Sequence, residues 1–164
     1  MDTFDAISKR ASVREYQTKP IGKELLERLV DAGRRAPTAR AIEPWEFVVI
    51  TDKQILQRLG EIADTGRFIK NASACIAVFC QDTKYYLEDG CAATENILLA
   101  CADIGLGACW VAGDKKPYVN EVAGVLGASA NLKLVSLISL GWPKREVNQL
   151  KHRGLKEVMR WEKF

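Results

Sequence analysis

An α+β fold is what this sequence predicts, and three observations point to it. Helical and strand-like periodicities both run along the chain, their connections keep no regular βαβ rhythm, and no repeat or low-complexity linker interrupts them. The 164 residues suit one compact domain covering 1–164. With 48% apolar and 27% charged residues the composition is that of a folded globular chain.

The elements follow in order. Phe4 and Ile7 lie three apart in a short opening helix that ends near Lys9, and a polar extended stretch runs from Arg10 to Thr18. Beyond Pro20, the segment 23–35 sets Leu25, Leu26, Leu29, Val30 and Gly33 on one helical face, and Pro37 stops it. Residues 46–51 (EFVVIT) form a strand, and 53–63 return to helical spacing through Ile55, Leu56, Leu59 and Ile62. Residues 73–80 read as a buried strand. The strongest helix spans 85–104; its second half, NILLACADI, is apolar on nearly every face and is expected to be buried all round. Gly105 suits the position after that helix, where positive φ is common. A short strand over 107–112, a helix over 118–126 and a long strand over 132–140 complete the series. After Pro143 the tail is charged, with Leu155, Val158, Met159 and Trp161 at helical intervals. A tail of that pattern is expected to dock on something, such as another subunit.

Composition excludes several function classes. Lys and Arg number 24 and Asp and Glu 21, so the net charge is 24 − 21 = +3. A nucleic-acid patch built on Lys115, Lys116, Lys144, Arg145, Lys151 and Arg153 would lack interleaved aromatics. No apolar run reaches the ~18 residues of a membrane span, and the opening MDTFDAISKR has no signal-peptide core. Five cysteines (Cys75, Cys80, Cys91, Cys101, Cys109) form no C-x-x-C and sit among apolar neighbours, as reduced thiols in a cytoplasm do. A single histidine, His152 in the basic tail, argues against an imidazole-built zinc site and reads as solvated. Phosphate-loop and G-x-S-x-G motifs are absent, and the one G-x-G, Gly105-Leu106-Gly107, precedes a strand instead of opening a helix. Chemistry on this chain therefore falls to a bound cofactor.

Four segments carry potential for one. In Arg10-Ala11-Ser12-Val13-Arg14, an extended backbone turns Arg10, Ser12 and Arg14 to one side, a cradle suited to a phosphate dianion. Lys151 and Arg153 repeat the i, i+2 spacing near the other end. The loop Ala36–Trp45 holds two prolines, with small residues at Thr38, Ala39 and Ala41 that let a flat group approach. The segment 107–113 ends in Val111-Ala112-Gly113, where a turn can leave backbone N–H groups exposed. Each alone is equally what a solvated turn or a strand end would show.

Together and in this order they resemble the FMN-dependent nitroreductase family. Its R-x-S-x-R opening is met by Arg10, Ser12 and Arg14, and its A-P-S-x-x-N-x-Q-P-W-x-F loop by APTARAIEPWEF, with Thr38 for the serine. Its D-x-x-A-A-x-x-N-x-x-L helix followed by G-L-G-x-x-W is met by Asp89, Ala92, Ala93, Asn96, Leu99, then Gly105, Leu106, Gly107 and Trp110. Its closing G-[YW]-P and K-x-R are met by Gly141-Trp142-Pro143 and Lys151/Arg153. The resemblance implies a central mixed, mainly antiparallel sheet flanked by helices. It also implies an intimate homodimer, with each tail reaching onto the partner and FMN in a cleft at each end of the interface.

By the same likeness Arg10, Ala11, Ser12, Arg14, Lys151 and Arg153 hold the phosphate and ribityl end, with Arg14 also a candidate for charge near flavin N1 and O2. Backbone around Val111, Ala112 and Gly113 faces N5 and O4. Pro37, Thr38 and Ala39 line the other side of the ring from the partner subunit. No side chain is needed as acid or base, and no metal is implied. The implied reaction is ping-pong: NADH or NADPH reduces the flavin at N5, and a nitroaromatic, quinone or free flavin then enters the same face. Two departures stand out. Ala41 and Glu43 replace the family's loop asparagine and glutamine, and the stretch between Ile62 and Ser73 is short. Both predict an open ring face with weak nicotinamide selectivity. The alternatives are a non-enzymatic FMN-binding or sensing protein, and a flavin enzyme of dehalogenase-like or flavin-fragmenting chemistry.

Overall fold

The computed structural model describes residues 1–164. Six α-helices and four strands follow one another as α1 (Thr3–Lys9), α2 (Lys23–Arg34), β1 (Trp45–Ile50), α3 (Lys53–Ile62), β2 (Ala74–Gln81), α4 (Tyr86–Asp103), β3 (Gly107–Ala112), α5 (Val119–Leu126), β4 (Leu132–Gly141) and α6 (Leu155–Val158). The strands form one sheet in the order β1-β2-β4-β3, every neighbouring pair antiparallel. Its mixed character is confined to a single parallel bridge between Ser12 and Ala108.

The two central strands are the two most continuously apolar ones, because both their faces are covered. On one face Ile76, Val78, Ile138 and Leu140 pack with Leu26 and Leu29 of α2 and Ile97, Leu98 and Cys101 of α4. On the other, Phe79, Leu134 and Leu137 meet Leu56 and Leu59 of α3 and Val122 of α5. Thr94 of α4 brings a hydroxyl into this core; it donates to Gly90 O (2.7 Å) and shares a 2.8 Å bond with Ser136, so no polar penalty is left unmet. Asp52 caps α3 by accepting from the N–H groups of Gln54 and Ile55, both at 2.9 Å. Gly105 closes α4 at φ 75°, as the sequence predicts.

Three details differ from the sequence reading. The stretch between α3 and β2 is a pair of 3-10 turns over Asp64–Asn71, whose Ile69 is fully buried. The second half of α4 is not covered all round: Leu99, Ala100 and Ala102 are only half-buried. In the tail only Leu155–Val158 is helical, and Leu150 (78%), Leu155 (70%), Trp161 (74%) and Phe164 lie exposed. A single chain thus leaves apolar surface on α4 and on the tail without a cover.

Candidate cofactor site

The segment after α1 runs along the open edge of β3. Val13 N–H donates to Ala108 O (2.9 Å), and Val13 is buried while Ser12 and Arg14 on either side are exposed. That alternation is the extended geometry that turns residues 10, 12 and 14 to one side. The Cys109 thiol reports the convergence: burial pushes it up, while the charge of Arg14, a hydrogen bond with Ser12 and the charge of Arg10 pull it back.

Two glycines allow the segment to lie so close. A β-carbon on Gly107 would come within 2.7 Å of the Val13 side chain, and one on Gly141 within 2.6 Å of the Tyr16 ring. Tyr16 is the anchor. Its hydroxyl donates to Val13 O (2.6 Å) and accepts from Ser139 Oγ (2.6 Å), both buried. Sequence reasoning passed over this residue, although it is the one aromatic side chain in an otherwise polar stretch.

Arg10 and Arg14 are held differently. Arg10, half-buried, sends Nη2 to Gln149 Oε1 and lies 3.9 Å from Glu95 of α4. The contact with Gln149 brings the start of the tail to the N-terminal cluster, two residues short of Lys151. Farther along, Arg145 pairs with Glu15 at 2.8 Å. Arg14 lies 5.7 Å from the centre of the Phe68 ring, with Nη1 3.4 Å from Ser12 O. Lys151 and Arg153 are exposed, and Arg153 donates to Glu157 O (2.7 Å) within its own turn. Within one chain the structure therefore gathers Arg10, Ala11, Ser12 and Arg14, and leaves Lys151 and Arg153 reaching outward.

At the far end of β3 the register decides which backbone groups are free. Gly113 N–H donates to Val135 O (3.0 Å), so that amide belongs to the sheet and cannot face a ligand as the sequence reading had it. Ala112, one residue earlier, has the opposite parity, the parity by which Ala108 turns its carbonyl out to Val13. Its N–H points off the open edge, its carbonyl accepts from the Tyr118 hydroxyl, and its side chain is exposed beside buried Val111.

The third part is the loop after α2, and α4 fixes it. Asp89, 4% exposed, accepts from Thr38 Oγ1 (3.0 Å) and from Ala39 N–H (2.9 Å), while Thr38 Oγ1 accepts from Glu43 N–H (3.1 Å). Pro37 is exposed, and Thr38 and Ala39 are half-buried. Arg40 (φ 59°), Ala41 (φ 53°) and Glu43 (φ 51°) all sit in the left-handed region, a strained arrangement for residues with a β-carbon. The clamping role of Asp89 was missed in the sequence; its signal is an acid followed by small residues at the head of an apolar helix.

A helix-flanked antiparallel sheet carrying an Arg-x-Ser-x-Arg segment on its β3 edge and a clamped A-P-T loop defines an oxidoreductase of the nitroreductase fold. The sequence profile of the Nitroreductase family matches residues 7–84 and 67–142, and the chain belongs to that family. Among its relatives, an Archaeoglobus fulgidus protein that carries the name NADH dehydrogenase/NAD(P)H nitroreductase is 35% identical over 148 residues, 85% of this chain and 84% of that one. A crystal structure of a Bacteroides thetaiotaomicron protein of the same name superposes with a TM-score of 0.94 at 28% identity, covering 99% and 98% of the two chains. An FMN-dependent nitroreductase from Clostridium difficile shares the fold with a TM-score of 0.90 at 24% identity, over 98% and 99%.

Proposed function

We propose that the protein is an FMN-dependent oxidoreductase that uses NADH or NADPH to reduce a small acceptor, a nitroaromatic, quinone or flavin. The observation that carries this reading is the β3 edge. Two arginines and a serine hydroxyl share one side at its start, and an outward amide stands at its end, at Ala112. Forked cations and a hydroxyl match a phosphate dianion, and a backbone donor several residues away matches a flat ring that accepts hydrogen bonds. The donor set fits the group.

When bound, FMN would supply the redox chemistry, hydride and electron transfer between nicotinamide and acceptor. The chain's own residues bind and orient. Arg10, Ala11, Ser12 and Arg14 hold the phosphate and ribityl end, with Lys151 and Arg153 from the tail completing the charge. Arg14 also presents positive charge to the pyrimidine edge of the ring. The Ala112 N–H holds the opposite ring edge, with Val111 behind it and Gly113 fixing the turn. Pro37, Thr38 and Ala39 line the second face from a partner subunit.

That last assignment requires a homodimer, and the exposed apolar surface supports one. The half-buried apolar face of α4 and the exposed Leu150, Leu155, Val158 and Trp161 of the tail are surfaces that a second copy would cover. No helix is long and apolar enough to cross a membrane. With Ala41 and Glu43 in the loop and only 3-10 turns between α3 and β2, the ring face stays open and discriminates poorly between donors. The test is anaerobic rapid mixing of the flavin-loaded protein with NADH and, separately, NADPH. The proposal expects flavin absorbance to vanish in seconds with both at comparable rates. Persistence of the oxidised spectrum with both overturns it in favour of a flavin-storing or sensing protein.

A further inference from the structure

A second cationic feature lies beyond Arg14. The segment 14–21, the end of β1 and the turn before β2 enclose a cleft of about 550 Å3, a size typical of small-molecule sites. Arg14, Lys19, Lys53, Lys70 and Lys144 line it, against one carboxylate, Glu15. Five positive charges and one negative give +4 in a chain whose whole net charge is +3. Glu15 is itself held by Arg145 at 2.8 Å.

None of the five cations has a carboxylate within 4 Å; many surface cations elsewhere are equally unpaired, so what sets these five apart is their gathering around one hollow. Two of the five are held in place. Lys53 Nζ donates to Ala72 O at 3.0 Å, and Lys19 Nζ lies 4.1 Å from the centre of the Trp142 ring. Like charges gathered around one hollow repel one another, and an anion entering it relieves that repulsion.

We propose that this cleft is an anion site that takes the diphosphate of the pyridine dinucleotide donor. The assignment of a dinucleotide rests on the oxidoreductase reading above. Arg14 belongs to both the cleft and the flavin cluster, which makes the two adjacent and sets the lysines on the side where a donor stacked on the ring would extend its diphosphate. Lysines offer point charges that follow a flexible diphosphate without demanding one geometry. The diphosphate is common to NADH and NADPH, so the cleft serves both and leaves the choice between them weak.

The test uses the flavin-loaded protein with Lys53→Gln and Lys70→Gln combined, and Lys133→Gln as a control on a distant, paired lysine. Flavin content and thermal midpoint are checked first. In the double variant KM for both donors is expected to rise roughly five-fold, with kcat and bound flavin unchanged. Inorganic pyrophosphate is expected to compete with NADH in the wild type and less well in the variant, and added salt to raise the wild-type KM more steeply. Unchanged KM values, or pyrophosphate that does not compete, overturn the donor assignment. A calorimetric titration with inorganic pyrophosphate alone tests the cleft separately from the flavin. Heat that disappears in the double variant supports an anion site even in a protein that holds no flavin, and no heat in the wild type overturns the site.

Discussion

Ala41 shows most directly what the loop demands of single residues. At φ 53° its β-carbon crowds the backbone, a position where the family pattern has asparagine, which tolerates that region better. Ala41→Gly is expected to stabilise the fold by about 0.5–1 kcal/mol after the glycine's own entropy is counted, raising the urea midpoint without altering the slope. An unchanged or lowered midpoint would show that the loop is not strained there. The thiols define a second residue-scale effect. Burial pushes Cys75, Cys80 and Cys101 up to about 12 from the ordinary 9.0. The unfolded chain therefore loses these protons at lower pH than the folded one. Their contribution to stability is intact below about pH 9 and is lost as pH climbs from 9 toward 12. Urea midpoints are expected to hold from about pH 7 to 8.5 and to fall by pH 10; a flat profile through pH 10 contradicts the burial of these groups.

At the scale of elements, the sequence was most informative where packing and local pattern agree. α2, α3 and the four strands fall within a residue or two of their predicted bounds, because their apolar periodicity matches the faces they bury. The end of α4 was legible from Gly105 alone. Residues 64–71 were not: they fold back on the preceding helix α3 through 3-10 turns, and Gly66 packs under Val111, a contact far off in sequence. The hydrogen-bond partner of Gly113 was hidden for a similar reason, since the register between β3 and β4 is set by the whole ladder and not by the turn residue. The seat of the 10–16 segment makes a testable prediction. Gly141→Ala drives a methyl into the Tyr16 ring, and is expected to destabilise the fold by about 1–3 kcal/mol while weakening flavin binding. Lost stability with undiminished flavin affinity would mean that Tyr16 does not position Arg10, Ser12 and Arg14.

Over the whole molecule, three of the four motifs read along the sequence fall on one sheet and the helix behind it, and the fourth, Lys151 and Arg153, stands out on the tail. Arg10 to Arg14 and Val111 to Gly113 share the β3 edge, while Asp89 and Glu95 of α4 bind the loop at Thr38 and the side chain of Arg10. That the tail comes to the N-terminal segment was legible only through the family resemblance; the side chain that makes the contact, Gln149, carried no signal of its own. Asp89 was legible as a motif position but not as a clamp, because its partners become neighbours only once α4 packs beside the loop. Under the proposed dimer a second copy would cover the exposed apolar tail, and sedimentation of the intact protein is expected to give a dimer.

The central claim is that the arginines at the start of β3 and the cations of the tail together hold one flavin phosphate. Its most direct measurement is the flavin content of Arg10→Ala combined with Arg153→Ala, read from the absorption spectrum of the purified protein and from the flavin released on denaturation. The account predicts one FMN per chain in the wild type and a colourless, folded dimer in the variant. Stoichiometric FMN retained by the variant would contradict it.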